Sequence, residues 1–329
     1  MNHDHLINHP AVLTIFGVTV AIMLLLDLGV FNRKNHEVSN KEALSWTAVW
    51  ISLSMLFSGI IYYVMGFDAF AKFQSAYWIE KALSVDNLFV FIMVFGFFNV
   101  PKHLHHKVLF WGIIGALVFR AIFIFTGVEL INLTYLPAMT IFGESVRINA
   151  VLTIFGVFLI VAGIKSWSSN DDNEEEKDFS KSPGARLVHR FFNVTNSYES
   201  GKFFTIENGK RLATPLLVVV AVIEFTDLIF AVDSIPAIFA IAPNDPLILY
   251  TSNIFAILGL RALYFLLANF MHMFSKLHYG LAVILAFIGT KMLISPFVHI
   301  SSPVSLGVVG GVLLVSVIAS FVFKGKTPA

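Results

Sequence analysis

Six carboxylates stand inside or beside long apolar stretches of this sequence, where a charged side chain is costly. They are Asp27, Glu80, Asp86, Glu224, Asp227 and Asp233. Arg120 and Arg261 occupy similar apolar surroundings. A charge near the centre of a bilayer costs roughly 2.5–3.5 kcal/mol on insertion scales. Structural charges would be expected as neutralised pairs, so the surplus of carboxylate favours a cation or proton pathway over buried structural pairs.

The neighbouring residues indicate which kind of cation would suit these acids. Asp86 is followed by Asn87 and Asp233 by Ser234, and each neighbour adds a neutral oxygen. Oxygen ligands suit hard divalent ions such as Mg²⁺, Ca²⁺ and Mn²⁺. The chain has no cysteine, and none of its 11 histidines is predicted deep within an apolar stretch, which weakens a zinc or copper pathway. The histidines at 3–9 and 103–106 are expected to be solvated loop residues.

An internal repeat relates these charges to one another. IEKALSVDNLFVF from Ile79 resembles TDLIFAVDSIPAIF from Thr226, which aligns Asp86 with Asp233 and Glu80 with Asp227. Further along, two more matching segments align Arg120 with Arg261 and Lys165 with Lys291. Each copy therefore holds three apolar spans that carry, in order, acids, an arginine and a lysine.

Because three spans is an odd number, the second copy should enter the membrane from the opposite side. Inverted repeats of this kind underlie many secondary transporters, whose substrate site lies near the midplane where the copies meet. Each arginine lies one span after the acids of its own copy. We therefore expect Arg120 to face Glu80 or Asp86, and Arg261 to face Asp227 or Asp233, as internal counter-ions.

Composition places all of this in a membrane. Hydrophobic residues make up 57% of the 329 residues and charged residues only 13%, against about a quarter in a typical soluble domain. The apolar blocks are about twenty residues long, as a membrane-spanning helix requires. The predicted fold is an all-α polytopic membrane protein with about nine transmembrane helices and an inverted three-helix repeat. The predicted spans are 10–31, 42–65, 74–99, 106–128, 147–168, 213–242, 246–269, 276–295 and 303–323.

The connections between the spans predict the domains and the orientation. Lys and Arg cluster in alternate connections, which the positive-inside rule assigns to the cytoplasm, with the N-terminus outside and the C-terminus inside. A long connection carries an acidic run at 171–178, which is expected to be a solvated, flexible linker, with a cation-attracting or regulatory role as the alternative. The predicted divisions are 1–73 (two helices), 74–168 (first repeat), 169–212 (cytoplasmic linker), 213–295 (second repeat) and 296–329 (last helix and tail).

Pro236 predicts a distortion beside one of the acids. A proline cannot donate to the carbonyl of Val232 and disfavours helical geometry at Ile235, so the chain should kink near Asp233. A carbonyl freed in this way could bind a cation, as in the broken helices of transporters. A plain packing kink is the alternative.

The residues quoted above resemble those of the TerC family, and most closely its Alx-type members. The resemblance covers nearly the whole chain, including DLGVFNRKNHEVSNKEAL, EKALSVDNLFVF, EFTDLIFAVDSIPAIFA and SNIFAILGLRALYFLLA. It implies a bacterial inner-membrane protein of manganese homeostasis that exports Mn²⁺. The family's intramembrane acids correspond to Asp27, Glu80, Asp86, Glu224, Asp227 and Asp233.

The sequence therefore predicts a secondary transporter that exports divalent cations, with Mn²⁺ as substrate, no bound cofactor and protons as a possible coupling ion. The predicted metal-binding residues are Glu80, Asp86, Asn87, Glu224, Asp227, Asp233, Ser234 and Asp27, with Arg120 and Arg261 as counter-ions. No nucleotide-binding loop and no HExxH motif is present, so neither an ATP-driven pump nor a metalloprotease is expected. The net charge of +1 argues against nucleic acid as a partner. A membrane scaffold of a metal or tellurite stress complex remains the alternative.

Overall fold

The structure, a computed structural model, describes the backbone of eight segments. They are residues 10–31, 39–141, 144–168, 178–198, 201–207, 209–270, 277–298 and 300–322. The side chains of three predicted site residues, Asp27, Asp86 and Asp233, lie outside the described part, although their backbones are helical.

Eleven α-helices and two small hairpins make up the described chain. The N-terminal pair is α1 (Pro10–Phe31) and α2 (Asn40–Met65), and the first repeat holds α3 (Phe67–Phe97), α4 (Lys102–Leu133) and α5 (Ala150–Ser168). A short helix α6 (Pro183–Phe191) precedes the second repeat, which holds α7 (Pro215–Phe239), α8 (Pro246–Leu258), α9 (Leu260–Phe270) and α10 (Leu277–Ile294). The last helix is α11 (Ser302–Val322). The antiparallel hairpins are β1–β2 (Met139–Ile141, Glu144–Val146) and β3–β4 (Phe204–Glu207, Lys210–Ala213).

Local sequence signals set where several helices begin. Ser39 caps α2 by accepting a hydrogen bond from the Glu42 backbone N–H at 3.3 Å, and Asp245 caps α8 through Ile248 N–H at 3.2 Å. Proline occupies the first turn of α6, α7 and α8, where its missing N–H costs no helical hydrogen bond. Gly66 alone separates α2 from α3 with φ of 88°, a backbone conformation that favours glycine.

A helix occupies each of the nine predicted spans, which confirms the all-α membrane fold. Five described helices are long and apolar enough to cross a membrane, namely α2, α4, α5, α7 and α11, and the bent pair α8–α9 makes a sixth. The apolar stretches of α1 and α10 are shorter within the described residues. The count of nine membrane crossings therefore stays a prediction.

One span is broken at a point that the sequence did not predict. The helix α7 runs uninterrupted through Asp233 and Pro236 to Phe239, so no unwound segment appears there. The interruption falls instead at Gly259, where α8 and α9 meet at an angle of about 40° within the predicted span 246–269. Gly259 has little room for a side chain, because a Cβ there would lie 2.6 Å from Lys81 Nζ and 3.3 Å from Trp50.

The centre of the bundle is formed by α3, α4, α7 and α8. Every residue of α8 except Tyr250 is buried, an unusual degree of enclosure for a helix of 13 residues. The equivalent helices α5 and α10 pack beside this centre through glycines. A Cβ at Gly156 would lie 3.0 Å from the Gly289 carbonyl oxygen, and a Cβ at Gly163 would lie 2.7 Å from that of Ala282.

These two glycine contacts are the same contact seen from each repeat. The alignment that matches Lys165 with Lys291 also matches Gly156 with Ala282 and Gly163 with Gly289. Gly156 contacts Gly289, and their counterparts Ala282 and Gly163 contact each other. Such a reciprocal pair of contacts is typical of an interface with two-fold symmetry. This reciprocity supports the internal repeat, and its inverted orientation in the membrane stays a prediction.

The linker between the repeats is more ordered than its composition suggests. Residues 171–177 of the acidic run lie outside the described part, and Asp178 caps a 3₁₀ turn at Phe179–Lys181. Beyond it, α6 lies so close to α7 that a Cβ at Gly184 would be 2.3 Å from the Ala221 carbonyl oxygen. The Tyr198 hydroxyl donates to the Phe98 carbonyl at 2.7 Å. The second half of the connection is thus packed against the helices, whereas the prediction of a flexible segment concerns the acidic run, which lies almost wholly outside the described residues.

Candidate cation site

Three buried charges meet where α3, α4 and α7 pack together. Glu80 lies in the middle of α3, Arg120 in the second half of α4 and Asp227 in the middle of α7. Arg120 and Glu80 are fully buried, and Asp227 is 5% exposed. The site is therefore built from both repeats, with two carboxylates arranged around one guanidinium.

Arg120 holds both carboxylates at once. Its Nη1 donates to Glu80 Oε1, its Nη2 lies 3.3 Å from Asp227 Oδ1, and its Nε lies 3.5 Å from Asp227 Oδ2. The planar guanidinium presents several donors in a fixed geometry, which suits such a bridge better than a lysine would. The predicted contact between Arg120 and Glu80 is thus present.

Arg120 also bonds an acid of the other copy. Asp227 of the second repeat takes bonds from Arg120 of the first, a contact that the sequence did not predict. Glu80 and Asp227 are the aligned acids of the two copies, so the bridge joins equivalent positions. The expected pairing of Arg261 with Asp227 or Asp233 stays a prediction, because the side chain of Asp233 lies outside the described part.

Several buried oxygens of the site have no hydrogen-bond partner among the described residues. They are Glu80 Oε2, Glu224 Oε2 and Ser234 Oγ. A buried polar group without a partner costs about 1–3 kcal/mol, and more when it is charged. Such atoms are rare in folded proteins and call for an explanation such as a bound water or ion. Unsatisfied acceptors beside two carboxylates are what a cation site requires.

Glu224 reaches the neighbouring helix at a glycine. It lies three residues before Asp227 on α7, so both side chains share a face of the helix. A Cβ at Gly115 on α4 would lie 2.0 Å from both carboxylate oxygens of Glu224. The absence of a side chain at Gly115 therefore makes the room in which this half-buried carboxylate sits.

A small cavity adjoins the site. Its volume is about 10 Å³, close to the minimum that holds one water. Asp227 and Arg261 contribute to its wall, and the other lining groups are apolar except for backbone, including Leu88, Ala116 and Ile257. Arg261 itself is buried, being 4% exposed.

The remaining predicted site residues have mixed outcomes. Asn87 and Ser234 are buried, as a site inside the bundle requires. The side chains of Asp27, Asp86 and Asp233 fall outside the described part. Within the described residues no three His, Asp or Glu side chains form a metal-binding group. The described geometry thus brings together Glu80, Arg120 and Asp227, with Glu224 on the same face of α7 as Asp227.

Two buried polar residues of the core were not singled out by sequence. Because α3 begins at Phe67, Lys81 lies near the helix centre, and it is 6% exposed. Its ammonium donates to the Ala256 carbonyl at 3.2 Å, just before the break at Gly259. Asn253 on α8 is fully buried. A neutral side chain such as that of Asn253 adds no charge to an apolar stretch and so does not stand out in the sequence. Lys81 would have been expected near the helix centre if the start of α3 at Phe67 had been predicted.

The second histidine cluster is helical rather than part of a loop, with His105 and His106 partly buried and His103 exposed. The helix α4 begins at Lys102 and so contains these histidines, and His105 stacks on Phe95 with ring centroids 4.3 Å apart. His105 Nε2 lies 3.0 Å from the Val100 carbonyl oxygen, and Nδ1 lies 3.0 Å from the Tyr264 hydroxyl. These contacts fix the corner between α3 and α4 against α9. The first cluster, at 3–9, lies outside the described residues.

Comparison with known proteins identifies the family. The family of integral membrane proteins called TerC matches residues 65–327. A membrane protein of Myxococcus xanthus is 43% identical over 326 residues, covering 98% of this chain and 95% of the relative. Alx of Escherichia coli strain K12, whose name calls it a proposed membrane-bound redox modulator, is 44% identical over 312 residues, which cover 92% of each chain. No solved structure gives a significant match. Because the family match covers most of the chain and the relatives are more than 40% identical over nearly their whole length, this protein belongs to the TerC family of integral membrane proteins.

Proposed function

We propose that this protein is a secondary transporter that exports divalent metal cations, with Mn²⁺ as the principal substrate. The observation that carries the proposal is the bridge of Arg120 between Glu80 and Asp227, the aligned acids of the two repeats. A purely structural ion pair needs one carboxylate for one guanidinium. Here two acids share one base, and one oxygen of Glu80 has no partner among the described residues.

In this mechanism the Arg120 guanidinium lies between Glu80 and Asp227 when no cation is bound. A divalent cation that enters between the acids competes with the guanidinium for Glu80 and Asp227, because each carboxylate can serve either positive partner. The cation also gains the unsatisfied oxygens of Glu80, Glu224 and Ser234. When the cation leaves, Arg120 again bonds both carboxylates and offsets one of their two negative charges, which limits the cost of the empty site.

The ligand chemistry and the family favour Mn²⁺ over softer metals. Carboxylate, hydroxyl and amide oxygens suit Mn²⁺, Mg²⁺ and Ca²⁺, and the chain contains no cysteine. The name of the Escherichia coli relative refers to redox modulation. Without a thiol in this chain, control of the concentration of a redox-active metal is the route by which such an effect would arise. We place the protein in the bacterial inner membrane with its C-terminus in the cytoplasm.

Metal flux in reconstituted vesicles tests the proposal. Purified protein should move Mn²⁺ across the membrane against its gradient when a proton gradient is imposed, and faster than Mg²⁺ or Ca²⁺ supplied at equal concentration. Empty vesicles provide the background. Flux of all three ions at background rate would contradict transport and favour the scaffold alternative, while passive flux that never runs uphill would make the protein a channel.

Enlarging Gly115 tests whether Glu224 belongs to the pathway. Gly115→Ala should lower Mn²⁺ flux several-fold, because the new methyl group displaces the Glu224 carboxylate. The stability should stay within about 1 kcal/mol of wild type, since the displaced group ends a flexible side chain and alanine favours helix over glycine by ~1 kcal/mol. Flux and thermal unfolding of the purified variant check both parts.

Gly96→Ala is the matched control for this variant. It also lies in a helix, on α3, but nothing stands within 4 Å of the new Cβ position. It should keep wild-type flux. Wild-type flux in Gly115→Ala as well would remove Glu224 from the pathway.

A further inference from the structure

Asn253 has a fully buried side chain and no described hydrogen-bond partner. It is 0% exposed, and neither Nδ2 nor Oδ1 has a partner among the residues that the structure describes. Another buried asparagine, Asn149, shows the usual situation. Its Nδ2 donates to the Ile131 carbonyl at 2.6 Å, and its Oδ1 accepts from Leu152 N–H at 2.9 Å. A side chain with two donors and two acceptor positions is seldom buried without use, so Asn253 calls for a partner from outside the chain.

The helix α8 carries Asn253 close in sequence to residues that line the small cavity beside Asp227. Ile257, one turn later on the same face, lines the small cavity together with Asp227. Two other helices connect the cavity to the site. On α4 the cavity residue Ala116 lies one turn before Arg120, and on α3 the cavity residue Leu88 lies about two turns after Glu80. Because a short turn joins α7 to α8, these two helices run antiparallel, and the direction from the cavity to the site leads on α8 from Ile257 to Asn253.

A direct contact supports the same level for Asn253. Lys81, the residue after Glu80, extends its ammonium to the carbonyl of Ala256 at 3.2 Å. Ala256 lies one turn from Asn253, so this part of α8 packs against the part of α3 that carries Glu80. Asn253 is thus a neutral, unsatisfied group about one turn from this contact between α3 and α8.

From this position we propose that Asn253 is a neutral oxygen ligand of the transported divalent cation, an assignment that rests on the proposed function. Hard divalent cations take carboxylate, amide and water oxygens together. The Oδ1 atom of Asn253 adds a ligand without adding charge, and Arg120 already offsets one of the two carboxylates. The amide Nδ2 remains available for a water of the cation's hydration shell.

Binding and stability measured together on purified protein test this assignment. Asn253→Leu keeps the size of the side chain and removes both polar atoms. Without metal it should be at least as stable as wild type, since no hydrogen bond to the protein is lost, while its Kd for Mn²⁺ should rise about tenfold. Asn253→Asp keeps an oxygen at the same place and should retain Mn²⁺ binding. Titration calorimetry with MnCl₂ and thermal unfolding provide the two readouts.

Asn149→Leu is the matched control, with the opposite signs. It removes an amide that is fully hydrogen-bonded, so it should lower the stability and leave the Kd for Mn²⁺ unchanged. Wild-type Mn²⁺ affinity in Asn253→Leu would overturn the assignment and leave transport intact. If Asn253→Leu does not fold, loss of Mn²⁺ binding in Asn253→Asp overturns it. A wild-type protein that neither binds nor moves Mn²⁺ would overturn the proposed function itself.

Discussion

Replacing Arg120 with glutamine should lower the free energy of unfolding by roughly 3–5 kcal/mol, the loss seen when one partner of a buried ion pair is removed. Arg120 is fully buried and is bonded to Glu80 and Asp227, both of which are also buried. The variant leaves two carboxylates facing each other without the guanidinium between them. Thermal or denaturant unfolding of the purified protein in detergent measures the loss.

Removing the acids as well should restore much of that stability. In the triple variant Glu80→Gln, Arg120→Gln and Asp227→Asn, no buried charge is left uncompensated, and the three amides can hydrogen-bond with one another. We expect this variant to be more stable than Arg120→Gln alone and inactive in Mn²⁺ flux, because the acidic ligands are gone. Losses that simply add would mean that the three charges do not act as one unit.

Arg147→Gln is the control for the loss of an arginine as such. Arg147 is exposed and lies 5.8 Å over the ring of Tyr135. An exposed cation–π contact contributes about 0.5–1 kcal/mol, so this variant should change the stability little. A loss in Arg147→Gln as large as that in Arg120→Gln would show that the effect does not come from the buried bridge.

The sequence was informative where the physical signal is local. Blocks of about twenty apolar residues predict helices, and a helix is found over each predicted span because a chain in lipid must satisfy its backbone hydrogen bonds internally. Charges inside such blocks are conspicuous, and Glu80, Arg120, Asp227 and Arg261 are indeed buried. The alignment of the copies also anticipated that Glu80 and Asp227 are equivalent, and the structure places both on Arg120.

The sequence was uninformative where the outcome depends on packing between distant segments. Nothing in the local pattern assigns Arg120 to Asp227 of the other copy, 107 positions away, in addition to Glu80 of its own copy. The break at Gly259 was missed because glycine is common in membrane helices, and what leaves no room for a side chain there is Lys81 from α3. Asn253 was missed because a neutral amide shows its significance only when its lack of partners is seen.

The acids aligned six residues after Glu80 and Asp227 carry the second large expected effect. Asp86→Asn and Asp233→Asn should each reduce Mn²⁺ export to the level of empty vesicles while the protein remains in the membrane. Both positions lie on the helices that carry the bridge, α3 and α7, and each is followed by a buried residue with a side-chain oxygen, Asn87 or Ser234. Loss of one carboxylate ligand weakens the attraction for a dication at every step of the pathway.

Membrane insertion and transport can be told apart in this test, because the two substitutions change the cost of insertion in a favourable direction. Removing a charge from a membrane helix lowers its cost of insertion, so an inactive variant at normal abundance cannot be attributed to the bilayer. Asp68→Asn is the matched control on α3, because Asp68 is exposed and forms an ion pair with Lys72 one turn away at 2.6 Å, and it should export Mn²⁺ at wild-type rate. Flux in the three variants, measured at equal protein density in the vesicles, decides the matter. Wild-type export by both Asp86→Asn and Asp233→Asn would exclude these acids from the site, and stress tolerance retained in cells that carry them would favour a scaffold over a transporter.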